Sequence, residues 1–193
     1  MRLTKVSSIL ICIGIVLIPY VNAGGKKQTI KKIKNLVTKF ATDDQLGKIL
    51  DALSLDLYNM EDTTTMANNA INIVLKSLTG TQMTQGVQIY NQLVNDFGGM
   101  DAAVSVLNQV IGVFNDNLGT IVTQIQTKIQ SSKDSGKTQA QCLKQQYKMI
   151  NKKFTKKMVK KIMTQIKNTL SSSDWNIIKN DLGNLIFFSN YGL

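Results

Sequence analysis

The residues best placed to do chemistry in this sequence are lysines. Lys144, Lys148, Lys152, Lys153, Lys156, Lys157, Lys160, Lys161 and Lys167 fall within 24 consecutive residues that contain no acid. A helix that is merely soluble tends to intersperse Glu with Lys at i,i+4, where opposite charges support each other. Nine ammonium groups without such partners repel one another, and an anionic counterpart relieves that repulsion. A phospholipid surface, a sulfated glycan or a carboxylate headgroup would serve. Lys144, Lys148, Lys152, Lys153, Lys156, Lys157, Lys160 and Lys161 are therefore the expected anion contacts. Nucleic acid is disfavoured, because bidentate readout of bases and phosphates belongs to arginine and the sole arginine is Arg2. Tyr147 and Phe154 fall on the apolar side of the same segment, so no stacking platform accompanies the lysines.

Most other chemistries lack their residues. There is no histidine, hence no Ser-His-Asp or Cys-His pair and no histidine general base. Cys12 and Cys142 are the only cysteines, too few for a thiolate cage around zinc. Asp43 and Asp44 sit where a helix starts, and there acids answer the helix dipole. Asp56, Glu61 and Asp62 do not follow the alternate spacing of a calcium loop. Neither glycine-rich phosphate cradle occurs. The expectation is a non-enzymatic protein with no cofactor and no metal.

The apolar side of the lysine segment suggests a second chemistry. Tyr147, Ile150, Phe154 and Met158, together with Phe114 and Trp175, could line an alkyl-binding interior, because aliphatic and thioether side chains reshape around such a ligand. Lysines near its mouth would offer an acyl carboxylate a counter-charge. The plain alternative is that the same residues form an ordinary aliphatic core. A secreted carrier of a fatty acid or similar hydrophobic ligand is thus the first functional expectation. A membrane-surface or polyanion-binding effector acting through Lys144–Lys167 is the second, and a protein–protein interaction module the third.

To hold these side chains in place the chain needs amphipathic helices after a leader. Residues 1–23 read as a secretory signal peptide: Arg2 and Lys5 precede the apolar run 9–18, and Val21-Asn22-Ala23 offers small residues before the cleavage point. The run is shorter than the roughly 20 residues a spanning helix needs, and Pro19 follows it. The expected product is extracellular, a single domain over 24–193 without an internal disulfide. Cys142 reads first as a small buried residue, and an intermolecular disulfide dimer is the alternative. The formal charge of +11 is uneven. Residues 24–48 carry seven lysines and two acids, 49–127 one lysine and seven acids, and 128–193 thirteen lysines and three acids.

Periodicity divides the domain into a basic N-terminal helix (24–41), core helices (42–130), a long lysine-rich helix (138–170) and a C-terminal helix (171–193). Thr42 with Gln45, and Thr138 with Gln141, form capping boxes. Thr63 to Thr65 can cap a third helix, and a fourth starts near Gln82. Asp101 opens a fifth, which either continues past Gly112 and Gly119 or restarts at Thr120. Residues 131–137 read as the clearest loop. Within 138–170 the apolar positions advance mainly in steps of four, and each such step turns the stripe by about 40° on a straight helix. That helix must bend, break or meet different neighbours at its two ends. No segment requires a strand, so the expected fold is all-α, a single-domain bundle of about seven to eight amphipathic helices.

Overall fold

The lysine segment is held against one long central helix, and the caps along the chain explain how the rest comes to surround it. The computed structural model describes residues 26–36, 40–153, 155–183, 185–186 and 188–193. The expected signal peptide at 1–23 and the candidate ligand residue Phe154 lie outside the described residues.

Among the described residues there are eight α-helices and no strand: α1 (Lys26–Leu36), α2 (Asp43–Asn59), α3 (Thr63–Ser77), α4 (Gly80–Asp96), α5 (Met100–Asp134), α6 (Gln139–Lys153), α7 (Lys156–Thr169) and α8 (Ser172–Leu182). A 3₁₀ turn at Phe188–Tyr191 follows. The protein is an all-helical single body, in keeping with the periodicity.

Helix starts follow side-chain chemistry. Thr42 caps α2: its hydroxyl accepts the Gln45 N–H at 3.2 Å, while Gln45 Oε1 accepts the Thr42 N–H at 2.9 Å. Thr79 and Gln82 repeat the box at α4, so that helix begins at Gly80 and not near Gln82. The two boxes also clasp each other. Gln45 Nε2 donates to Gln82 Oε1 and to the Ser77 carbonyl, both at 2.7 Å; Gln82 Nε2 donates to Gln45 Oε1 at 3.1 Å and to the Phe40 carbonyl at 2.8 Å. The starts of α2 and α4 and the end of α3 are tied at one point.

The cap of α3 is Asp62 and not the threonines that follow it. Its carboxylate accepts the Thr64 and Thr65 N–H groups at 2.8 and 2.9 Å and the Thr65 hydroxyl at 2.8 Å. A charged acceptor satisfies several free donors at once, which a hydroxyl cannot. The bonds from Thr65 lead in holding this carboxyl below its ordinary pKa.

Residues 100–134 form one helix, so Gly112 and Gly119 do not interrupt it. Its 35 residues span about 50 Å at 1.5 Å per residue. Val106, Leu107, Val110, Phe114, Leu118, Val122, Ile125 and Ile129 are its buried stripe, against which α2, α3, α4, α6 and α7 all pack. The helix also absorbs most of the expected 131–137 loop. Ser132 is buried on its inner side, and the turn is confined to Ser135 and Gly136, where Gly136 has φ 73°.

The single helix expected over 138–170 is two. Thr155 is extended, and its hydroxyl accepts the Met158 N–H at 3.2 Å to start α7. The break resets the drifting apolar stripe, so α6 and α7 each present their own buried side to α5. The C-terminal helix expected to reach 193 stops at Leu182. The tail then folds back: Phe188 meets Trp175 edge to face, ring centroids 5.3 Å apart, and aromatic burial of this kind outweighs continuing a short helix into water.

Candidate anion-binding face

The geometry of α6 follows from its inner residues. Cys142 and Gln146 are fully buried and Ile150 nearly so, one turn apart along the helix. Gln146 Nε2 donates to the Ser54 carbonyl at 3.0 Å, which anchors α6 on α2. With that side turned inward, Lys144, Lys148 and Lys152, at i, i+4 and i+8, are exposed, as is Lys153. On α7 the inner residues are Val159, Ile162, Met163 and Ile166, all buried. Lys156, Lys157, Lys160, Lys161 and Lys167 are exposed.

None of these nine lysines forms an ion pair within the described residues. The three pairs that do form are Lys26–Asp51 at 2.5 Å, Lys34–Asp43 at 2.6 Å and Lys48–Asp44 at 2.7 Å, all near the junction of α1 and α2. Lys26 and Lys34 of α1 therefore answer acids of α2, and among the described residues the 144–167 lysines answer none. α7 also begins on Lys156 and Lys157 with no acid in its first turn, so two positive charges sit at the positive end of the helix dipole. That placement is unfavourable for the isolated helix.

Two open grooves lie on the positive surface. One, about 820 Å³, runs between α1 and α2 and mixes Lys26, Lys27, Lys31, Lys34 and Lys48 with Asp43, Asp44 and Asp51. The other, about 460 Å³, is lined by Lys137, Gln141, Lys144, Gln145 and Lys148 and contains no acid. The sequence pointed to Lys144 and Lys148 but took Lys137 for a loop residue and Gln141 for a cap alone. The i,i+4 pairing of Gln141 with Gln145, beside that of Lys144 with Lys148, was the available signal.

Five of the six residues expected to surround an alkyl chain are described. Phe114, Ile150 and Trp175 belong to the continuous buried core, and Met158 packs half-buried against it. Tyr147 is half-buried on α6. Neither groove is lined by any of them. Cys142 is a free thiol with no exposed surface. Among the described residues no group of His, Cys, Asp or Glu is arranged to hold a metal ion. No single described helix is long and apolar enough to cross a membrane; α4 and α5 reach that length and apolarity only jointly, across a bend of 104°.

Among the described residues two carboxylates are buried: Asp181, which its spacing does not single out, and Asp56, which its place beside the apolar stripe of α2 marks as a surface position. Asp181 on α8 accepts from Gln92 Nε2 of α4 at 2.9 Å, while its other oxygen is buried without a partner. Burial first, and then the neighbouring Asp96 carboxylate, raise its pKa. Asp56 on α2 is similar: burial raises its pKa, a bond from Asn69 opposes the shift, and Glu61 adds to it.

A family profile described as "Uncharacterized protein B0228.1-like" matches residues 6–182, a span that contains all eight helices and the whole lysine segment. The chain belongs to this family. No curated protein and no solved structure matches it. Membership brings no activity with it.

Proposed function

We propose that this is a secreted, non-enzymatic protein that docks on anionic phospholipid surfaces through the lysines of α6 and α7. The observation that carries the reading is that all nine lysines of 144–167 are exposed and none pairs with an acid among the described residues. Each basic residue close to an anionic membrane contributes about 1 kcal/mol of attraction, so a partial engagement of this array suffices for stable docking. Lysine suits the role, because a membrane presents diffuse negative charge and asks for point charges, not for the planar fork of arginine. The array also spreads over two helices, which fits a surface better than a single linear polyanion.

Co-sedimentation with vesicles tests the proposal. Binding is expected with phosphatidylserine in the vesicles, and phosphatidylcholine alone should retain little protein. It should weaken steeply as salt shortens the screening length from about 10 Å at 0.1 M to about 3 Å at 1 M. Equal partition onto neutral and anionic vesicles would refute the reading. Tight capture by heparin with no binding to vesicles would replace the membrane with a sulfated glycan.

A further inference from the structure

The acid-free groove on α6 has a donor arrangement more specific than a diffuse positive face requires. Gln145 Oε1 accepts from the Lys137 ammonium at 3.2 Å and lies 2.6 Å from the Ser132 hydroxyl, whose one proton it shares with the Lys128 carbonyl at 2.9 Å. An ammonium group carries only donors, so the atom it meets must be the carbonyl oxygen of the glutamine and not its NH₂. Gln141 is fixed in the same way, since its Oε1 accepts the backbone N–H of Thr138 at 2.9 Å. Both oxygens are thus occupied. The NH₂ groups of Gln141 and Gln145 and the ammonium groups of Lys144 and Lys148 have no protein acceptor among the described residues. Lys137 is held in place by Gln145 and spends one donor on it. The groove therefore offers three cations, two oriented amides and no acid.

We propose that this groove is a binding site for a phosphate monoester. A monoester carries about −1.5 to −2 charges at neutral pH and three strong acceptor oxygens. The phosphodiester of an ordinary phospholipid carries a single charge and has two free oxygens. The monoester brings one more free oxygen and more charge to a groove lined by three lysines and two amides. The groove's volume of about 460 Å³ leaves room for the moiety that bears the phosphate. The proposal deepens the membrane reading and rests on it only in that Lys144 and Lys148 belong to the same face.

Calorimetric titration of the intact protein with glycerol 3-phosphate, and with glycerophosphoglycerol as the diester, tests the site. Saturable binding of the monoester is expected, about tenfold or more tighter than the diester, as charge-assisted bonds to an extra oxygen imply. The affinity should fall below about pH 6, where the monoester takes up its second proton, while the diester shows no such step. Gln145→Glu keeps an oxygen for Ser132 and Lys137 but replaces the free donor by an acceptor, so it should abolish monoester binding with an unchanged circular dichroism spectrum. Lys76→Ala and Lys179→Ala, outside the groove and outside the 144–167 array, should leave monoester binding unchanged. Equal affinity for monoester and diester, or equal losses in all these variants, would overturn the site in favour of diffuse charge. Vesicles of phosphatidic acid and of phosphatidylserine, matched in total charge, identify the source. A preference for phosphatidic acid supports a lipid headgroup, and soluble binding without that preference supports a free phosphate ester. If phosphatidylserine vesicles bind while glycerol 3-phosphate does not, the groove falls and the membrane reading stands; the reverse result removes the membrane reading and keeps the groove.

Discussion

At the scale of single residues, the least comfortable group in the protein is Asp181. It is 8 % exposed, one oxygen lacks a partner, and the Asp96 carboxylate lies beside it. Its folded pKa lies above the ordinary 3.8, so between those two values the folded state holds a proton that the unfolded state releases. Stability contributed by this group therefore falls as pH rises through that window, and at pH 7 the fold carries a buried charge at a cost. Asp181→Asn keeps an oxygen for Gln92 and removes the charge. It should raise the urea midpoint at pH 7, with the gain over wild type vanishing as pH approaches 3.8. A gain that is independent of pH would mean that packing, not ionisation, is responsible. Gln45 and Gln82 show the opposite economy, with both N–H donors of each amide satisfied. Removing either should cost about 1–3 kcal/mol, because the survivor is left partly unsatisfied in a half-buried site. In a double-mutant cycle the two losses should not add.

At the scale of elements, α7 shows a conflict between stability and the proposed role. Lys156 and Lys157 occupy the end of the helix where acids would help. Thr155 has to start the helix without electrostatic support, and Thr155→Ala should cost about 1 kcal/mol in chemical denaturation, with Thr155→Ser restoring most of it. Lys156→Glu should do the reverse, stabilising the fold by about 0.3–1 kcal/mol while weakening vesicle binding. A variant that gains stability and loses no binding would show that Lys156 takes no part in docking. That 138–170 must bend, break or change neighbours was legible in the sequence, since apolar positions stepping by four cannot stay on one side of a straight helix for long; that it breaks into two helices was not. Nor was the location of the break, because Thr155 lies in a run of lysines and resembles the surface threonines around it. The capping box at Thr42 was equally plain. The one at Thr79 was obscured by Gly80, read as a terminator when it occupies the first helical position. Asp62 was passed over because its role depends on a carboxylate reaching two amides at once, and adjacent threonines gave a more familiar pattern.

At the scale of the whole molecule, charge segregation is the property that the fold preserves. The acids concentrated in 49–127 lie on α2, α4 and α5 and in the α2–α3 turn, and among the described residues none pairs with a lysine of α6 or α7. Lys26 and Lys34 of α1 meet Asp51 and Asp43 of α2, and one basic segment is thereby partly silenced within the chain. The spacing could show the glutamines beside the lysines, but not the Gln145 contacts, because Ser132 was assigned to a loop and only its helical placement brings its hydroxyl to Gln145. The face itself was legible, since nine lysines without an acid leave few ways to fold them inward. The two basic ends should therefore behave differently. Replacing Lys157, Lys160 and Lys161 together by alanine should weaken binding to phosphatidylserine vesicles by about two orders of magnitude, at about 1 kcal/mol per lysine. It should also flatten the salt dependence and leave the thermal midpoint nearly unchanged or slightly higher, because like-charge repulsion is relieved. Replacing Lys26 and Lys34 instead should change vesicle binding little, for their charge is already engaged by Asp51 and Asp43. Equal losses from the two sets would mean that net charge alone drives association, and that the separation of α6 and α7 from the acids has no bearing on binding.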